Sequence, residues 1–423
     1  MLDMKLLREN PDLVKQGLAL KNVTADVDAI LALDAKRRDL VTRAEELNQQ
    51  RNALSAEVGR KMKAGENADE IKERVRTIGD EAGRLDGEIG HADLQLRDMM
   101  LRIPNMPDPS VPRGKNETEN RVIREWGKKP EFDFEPRGHW DIATDLGIIN
   151  FEHGAKISGS GFIVYYGAAA RLQRVLINFM LDLHTSEHGY TEVLPPYLVS
   201  QDAMEGTGQY PKFVETDGAY KIDGEDTYLV PTAEVPVTNL RRGEILSAAE
   251  LPHYMVAYTP CFRREAGSYG KETRGITRIH QFDKVELVKL VKPEESFAEL
   301  DRLLGEVETV LQRLNLHYRV VEICTGDLGF SNVKQYDLEV WAPGMGAYLE
   351  VSSCSNFTDY QSRRAGIRFR REAKAKPEFV HTLNGSGLAL PRTMIAILEQ
   401  YQLADGHVKI PDAIAPAFGS PQI

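Results

Sequence analysis

Between Asp28 and Met100 the chain carries a heptad repeat. Ile71, Ile78, Leu85, Ala92 and Met99 recur at every seventh position and Val75, Ala82, Ile89 and Leu96 fill the offset row, so the apolar spacing alternates four and three without a break. A stripe with that period lies on one side of a helix and is buried against one partner helix; strand faces repeat every second residue and cannot use it. The preceding stretch is less regular. Leu33, Leu40, Leu47 and Leu54 form one row, and Ile30, Arg37, Ala44, Arg51 and Val58 the other. Lys63 to Asn67, with Gly65 at its centre, reads as a tight turn, which makes the two helices antiparallel neighbours. The pattern predicts a helical hairpin whose first helix, Asp28 to Met62, is an arm of roughly 50 Å at about 1.5 Å per residue. Two helices bury one stripe each, so most of the arm's surface is left for water or for a partner.

The charge on the arm is uneven. Asp34 to Lys63 holds eight Lys/Arg and five Asp/Glu, a balance of +3, whereas Asp69 to Asp98 holds five and nine, a balance of −4. Interhelical pairing in a solvated coiled coil accounts for such a difference on charge alone. The sharper reading is that the basic helix meets a polyanion, with Arg37, Arg38, Arg43, Arg51, Arg60, Lys61 and Lys63 as the contacting residues. The whole chain of 423 residues has a formal charge of −11, which excludes a generally basic nucleic-acid binder. It leaves open a partner met by a strip of the surface.

Ile103 to Thr118 contains Pro104, Pro107, Pro109 and Pro112 and cannot continue the helix. The expected organisation is therefore an N-terminal domain over 1–103, a Pro-rich linker over 104–118, and a second domain over 119–423. In the second domain an apolar-periodic helix is expected from Gly167 to His188, closed by Gly189, and another from about Glu294 to Leu314 with Phe297, Leu300, Leu304, Val307, Leu311 and Leu314 on one face. Strand-like runs lie at Tyr254–Phe262, Ile279–Leu290, Tyr318–Cys324, Tyr336–Trp341 and Tyr348–Ser353. Several follow one another without a helix between them, which favours an antiparallel sheet and an α+β class. The usual phosphate loops, G-x-x-x-x-G-K-[ST] and a strand-linked G-x-G-x-x-G, are absent.

Three segments of this region carry chemistry. His188 to Pro196 is a helix end running into a strand. Cys261-Phe-Arg263-Arg264-Glu265 is followed by a Gly-rich stretch, Ala266 to Gly275, and then by Thr277 to Glu286; this pairs an Arg fork with the aromatic plate of Phe282, a combination suited to a phosphate beside a nucleobase. Leu383 to Arg392, rich in Gly, reads as a loop opening a helix from Thr393 to Tyr401, where an Arg in the first turn can reach an anion. Taken singly, the first is weak evidence, the second also fits a charged surface hairpin and the third plain packing.

In this order the three resemble signature motifs 1, 2 and 3 of the class II aminoacyl-tRNA synthetases, and the whole chain is similar to the bacterial-type seryl-tRNA synthetase family. The likeness rests on the arm, Val230-Pro-Thr-Ala-Glu234, Cys261 to Gly270, and Glu350-Val-Ser-Ser-Cys-Ser-Asn356 followed by Gln361-Ser-Arg-Arg364. It implies an antiparallel helical hairpin followed by a class II synthetase catalytic domain, a central antiparallel β-sheet flanked by helices. It implies ATP, L-serine and a serine tRNA as substrates, with a selenocysteine tRNA as a further candidate. Arg263 would bridge the serine carboxylate and the α-phosphate, Glu265 would contact the adenine end beside Arg264, Phe282 would stack on adenine, and Arg392 would hold the γ-phosphate. Glu350 and Ser353 match the family's Mg2+ site, with Val351 and Ser352 on the same ATP-binding stretch. Thr232, Ala233 and Glu234 resemble the loop contacting the amino acid, and Glu286 and Ser386 the contacts to its hydroxyl. Lys271, Arg274 and Arg278 would meet the tRNA acceptor end. A homodimer through motif 1 also follows from the resemblance. One departure is Pro391, where the family usually has Gly before the motif 3 arginine.

Cys261, Cys324 and Cys354 are odd in number and lack C-x-x-C spacing, which argues against a disulfide framework and a cysteine zinc site. No apolar run reaches the roughly 18 residues a membrane helix needs, and the first residues lack a signal-like h-region, so a cytoplasmic setting is expected. Two readings compete: a coiled-coil interaction protein with an inactive nucleotide-binding fold, against which the presence of Arg263, Glu350 and Arg392 counts, and an amino-acid-activating ligase that serves a carrier protein. Such a ligase has no use for the arm, and the unbroken heptads from Ile71 to Met99 count against it.

Overall fold

The computed structural model describes residues 1–266 and 274–423. Contacts divide them into two compact units, one of residues 2–16 and 24–103, the other of residue 1, residues 17–23 and residues 104–423.

The first unit contains the hairpin. Helix α1 spans Val27–Ala64 and helix α2 spans Asp69–Leu101. The Asp26 side chain accepts from Ala29 N and caps α1 at its start, and Gly65 ends it with φ +73°, a conformation that costs glycine least. The arm is slightly longer than expected, 38 residues in α1, or about 57 Å at about 1.5 Å per residue. Leu40, Ala44 and Leu85 are buried in the seam with Leu47 and Ile89 packed beside them, so both sequence rows meet as the heptads require. Asp34 is buried on α1 and is held by Arg8 at 2.6 Å and Arg38 at 3.1 Å.

Among the described residues the largest sheet of the second unit has eight strands: β1 Arg121–Trp126, β2 Thr191–Glu192, β3 His253–Phe262, β4 Gln281–Val291, β5 Tyr318–Glu322, β6 Lys334–Ala342, β7 Ala347–Thr358 and β8 His381–Ala389. Their order across the sheet is β1-β5-β6-β7-β8-β4-β3-β2. All neighbours are antiparallel except the edge pair, where β2 runs parallel to β3. The run expected to reach Pro196 as a strand is thus only a two-residue edge.

Helices α3 Gly167–Ser186, α4 Ser296–Arg313 and α5 Leu390–Gln400 cover one face of the sheet. Leu172, Leu176 and Met180 of α3, Leu304 and Val307 of α4, and Met394 and Ile397 of α5 join Val285, Leu287, Leu338 and Leu383 of the strands in one core. The apolar face read for α4 needs one correction: Phe297 is exposed, and Leu303 and Val310 complete the buried stripe.

Leu383–Arg392 is not a loop. It is the central strand β8, and α5 begins directly after it with Pro391 in the first turn, where a missing N–H is one that has no helical partner. Glycine serves packing there: a Cβ on Gly385 would lie 3.2 Å from Cys354 Sγ and from both Leu303 methyls. Residues 104–118 lie against this unit; Asn105 N–H donates to the Phe330 carbonyl at 3.0 Å, and Val111 is buried with Val321, Ile323 and Leu328. Cys261 and Cys354 are buried in the sheet, while Cys324 is buried beyond β5 with its Sγ 3.2 Å from the Asn116 carbonyl. No described helix is long and apolar enough to cross a membrane.

Candidate active site

The sheet face opposite the helices lines a cavity of about 520 Å³. Strand alternation supplies its floor. Phe282 and Lys284 on β4, Ser353 and Ser355 on β7, and Asn384 and Ser386 on β8 are pairs two residues apart, so their side chains share the face away from the core. Glu350, Val351, Pro391 and Arg392 close one end, and Thr232 and Glu234 close the other.

The Arg263–Phe282 pairing expected from sequence is present. Cys261 and Phe282 are register partners, Arg263 N–H donates to the His280 carbonyl at 2.9 Å, and the guanidinium lies 5.2 Å from the Phe282 ring centre. Arg263 Nε also donates to the Pro231 carbonyl at 3.2 Å, which ties the motif 2 strand to the loop carrying Thr232 and Glu234. Glu265 adopts φ +50° and its carboxylate accepts from Arg278 at 2.9 Å, so the two ends of the motif 2 loop are clamped across the mouth. Arg392 donates to the Glu350 carbonyl at 2.7 Å and stands 3.6 Å from its carboxylate.

The other end is more deeply buried. Glu286 is fully buried, with Lys284 Nζ at 2.5 Å and Asn384 Nδ2 donating at 2.8 Å. Lys284 also donates to Thr232 Oγ1 at 2.9 Å. Glu234 accepts from Gln361 at 2.6 Å; burial first, then the neighbouring Glu286, pushes its carboxyl up to about 7. A carboxyl at about 7 is close to half protonated near neutral pH, so a neighbouring cation shifts it readily to the carboxylate.

Four of the expected serine and ATP residues do not line the cavity: Glu286, which is fully buried and bonded to Lys284 and Asn384, and Arg264, Ala233 and Ser352. Arg264 is held by Asp217 at 3.0 Å with its guanidinium over Tyr220, Ala233 is buried in the fold, and Ser352 donates to the Ser386 carbonyl at 2.6 Å from the opposite side of β7. Arg278 lines the cavity, whereas Arg274 lies over the Trp140 ring at 4.2 Å. Lys271 lies outside the described residues. His280 stacks on Phe162 and bonds Tyr220 at 2.7 Å, a structural contact.

Sequence reasoning missed Lys284, Asn384 and Gln361. The alternation Phe282, Lys284, Glu286 was the available signal for the first. It also missed Lys21, whose buried ammonium donates to the carbonyls of Asn105, Gly329, Phe330 and Asn332 at 2.6–3.2 Å and so holds the Gly329–Asn332 wall of the cavity.

An antiparallel sheet with an Arg–aromatic pair on adjacent strands and an Arg in the first turn of the helix after its central strand defines a class II aminoacyl-tRNA synthetase core. The family model for the tRNA synthetase class II core domain (G, H, P, S and T) matches residues 219–401, and that for the seryl-tRNA synthetase N-terminal domain matches residues 1–107. The serine–tRNA ligase of Geobacter sulfurreducens is 52% identical over 422 residues, 100% of this chain and 99% of that protein. Among solved structures, seryl-tRNA synthetase from Pyrococcus horikoshii complexed with ATP superposes with a TM-score of 0.93 at 40% identity, covering 100% of this chain and 99% of that one. The cytoplasmic serine–tRNA ligase of Naegleria fowleri in complex with AMP gives 0.86 at 28% identity, covering 99% and 98%. The chain belongs to the seryl-tRNA synthetase family.

Proposed function

We propose that this chain is a serine–tRNA ligase: it activates L-serine with ATP and transfers the seryl group to the 3′ end of a serine tRNA, with a selenocysteine tRNA as a further candidate acceptor. The observation that carries the reading is one cavity with two chemically different ends. Arg263, Glu350 and Arg392 line one part with groups suited to a triphosphate, and Thr232, Glu234 and Lys284, the last paired with the buried Glu286, line another with groups suited to a small amino acid.

In the first step a serine carboxylate oxygen attacks the α-phosphorus, the bond from that phosphorus to the bridging oxygen breaks, and pyrophosphate leaves. Little proton transfer is involved, so placement and charge neutralisation carry the rate. In this reading Arg263 bridges carboxylate and α-phosphate, Phe282 offers a plate for adenine, Glu234 takes the serine ammonium, and Ser386 with the buried Glu286 recognises its hydroxyl. In the second step the 3′-hydroxyl of the tRNA attacks the adenylate carbonyl and AMP leaves.

The Glu350 carboxylate and the Ser353 hydroxyl are hard oxygen donors on one strand at the phosphate end, a set that fits Mg2+ with phosphate and water completing the shell. When bound, the ion neutralises phosphate charge. The homodimer is assigned to the motif 1 region, where Leu194, Tyr197 and Leu198 are exposed apolar side chains close in sequence.

Serine-dependent ATP–pyrophosphate exchange with magnesium, run over all amino acids, tests the assignment. Exchange with serine and charging of serine tRNA are expected; no exchange with serine refutes it. Arg263→Ala is expected to abolish both steps. Removing Asp28–Met100 is expected to leave exchange and remove charging, and full charging without the arm would refute the arm's role and favour a carrier-type acceptor.

A further inference from the structure

Residues 275–278, where the motif 2 loop returns to the sheet, do not hang free. They are docked on a short helix, His139–Asp145, that no signature motif includes. Ile276 N–H donates to His139 Nε2 at 3.2 Å, and the following residues, Thr277 and Arg278, line the cavity. An amide N–H aimed at Nε2 requires a lone pair there, so the ring proton is on Nδ1. That proton is donated to the Glu399 carboxylate at 2.8 Å, and His139 N–H donates to the same oxygen at 2.9 Å. The other Glu399 oxygen accepts from Gly344 N–H at 2.8 Å and Met345 N–H at 3.3 Å. Both side chains are fully buried. With every lone pair directed and both groups shut off from solvent by burial, the ring has one orientation.

The loop is shaped to reach this ring. Gly275 has φ +71°, and a Cβ there would lie 2.1 Å from His139 Nε2, so the chain passes against the imidazole where only glycine fits.

We infer that His139 is a positioning residue for ATP: oriented by Glu399 from the motif 3 helix, it pins Ile276 and thereby fixes Arg278, which holds Glu265 across the mouth of the cavity. His139 does not line the cavity. It joins the motif 3 helix to the motif 2 loop, so that the two ends of the nucleotide site are set relative to one another. This rests on the proposed serine–tRNA ligase reading.

Two substitutions separate the halves of the contact. His139→Asn keeps a donor for Glu399 and removes the acceptor for Ile276; His139→Gln keeps an acceptor at the Ile276 end and loses the Nδ1 donor. The affected groups bind the nucleotide in both ground and transition states, so H139N is expected to raise KM for ATP in pyrophosphate exchange about 10-fold, with kcat and KM for serine within about threefold of wild type. H139Q is expected to return KM for ATP to within about threefold of wild type, though with a lower Tm. Gly275→Ala disturbs the same contact from the loop side, leaves the buried pair intact, and is expected to give the H139N signature; it stands as the test where H139N does not fold. An unchanged KM for ATP in folded H139N or in G275A overturns the inference. So does a rise in KM for serine equal to that for ATP, which marks a general structural defect. Failure of the wild-type protein to exchange with serine refutes instead the reading on which the inference rests.

Discussion

Lys284 Nζ stands 2.5 Å from a carboxylate oxygen of Glu286, with the lysine side chain 8% exposed and the glutamate 0%. Lys284 lines the serine end of the cavity with Glu286 buried beside it; Lys284 also donates to Thr232, and Asn384 donates to Glu286. Removing one partner strands the other charge in a dry site, which typically costs about 3–5 kcal/mol. Lys284→Met is therefore expected to lower stability by about that amount in urea unfolding. Adding Glu286→Gln should recover a large part of it while leaving serine activation impaired; no recovery in the double variant would mean that the two charges are not coupled.

Glu234 gives a pH signature with a definite sign. Burial and Glu286 raise its carboxyl to about 7 from the usual 4.5. The native state therefore binds the proton more tightly than the unfolded chain, and the stability this contributes is fully present below pH 4.5 and lost as pH rises through about 7. About 2.5 pH units of difference correspond to about 3 kcal/mol. Wild type minus Glu234→Gln, compared by urea unfolding from pH 4 to 8, should show that decline. Serine binding is expected to release a proton near pH 6.5, seen calorimetrically in buffers of different ionisation enthalpy, because the serine ammonium favours the charged carboxylate; E234Q should release none.

The arm was legible because its information is local: a four-three apolar alternation specifies a helix, its buried side and a partner helix without reference to the rest of the chain. The site was legible for a different reason. Arg263, Phe282, Glu350 and Arg392 were placed by resemblance, and only the Arg263–Phe282 pairing followed from strand logic. What stayed hidden depends on contacts made far along the chain. Gly385 and Gly387 look like loop glycines in sequence, yet they sit in a central strand, where Leu303, Cys354 and Val285 would stand 3.1–3.2 Å from an added Cβ. Lys21 and Gln361 act through backbone carbonyls or a single carboxylate brought to them only by the tertiary fold. The parallel edge strand is likewise invisible locally, because Thr191 and Glu192 pair with Met255 and Val256 far along the chain.

The charge asymmetry of the arm divides further in the structure. Arg37 pairs with Asp93, Arg38 with Asp34 at 3.1 Å and Arg43 with Glu81 at 3.8 Å, so the basic residues toward the start of α1 are already engaged within the hairpin. Among the described residues Arg51, Arg60, Lys61 and Lys63 have no ion pair, and Arg60 and Lys63 are exposed near the turn. Free cations can displace the counterions of an RNA backbone at little cost, whereas paired ones must first give up a carboxylate. The triple variant R60A/K61A/K63A is thus expected to raise KM for tRNA and to reduce the slope of log affinity against log salt by about 3, one per phosphate contact removed, with serine–ATP exchange unchanged. R37A/R38A should instead destabilise the hairpin, because buried Asp34 loses one of its two arginines, and should change the salt slope little. A salt slope that falls in R37A/R38A but not in the triple variant would place the RNA contact at the paired end of the arm and reverse the assignment.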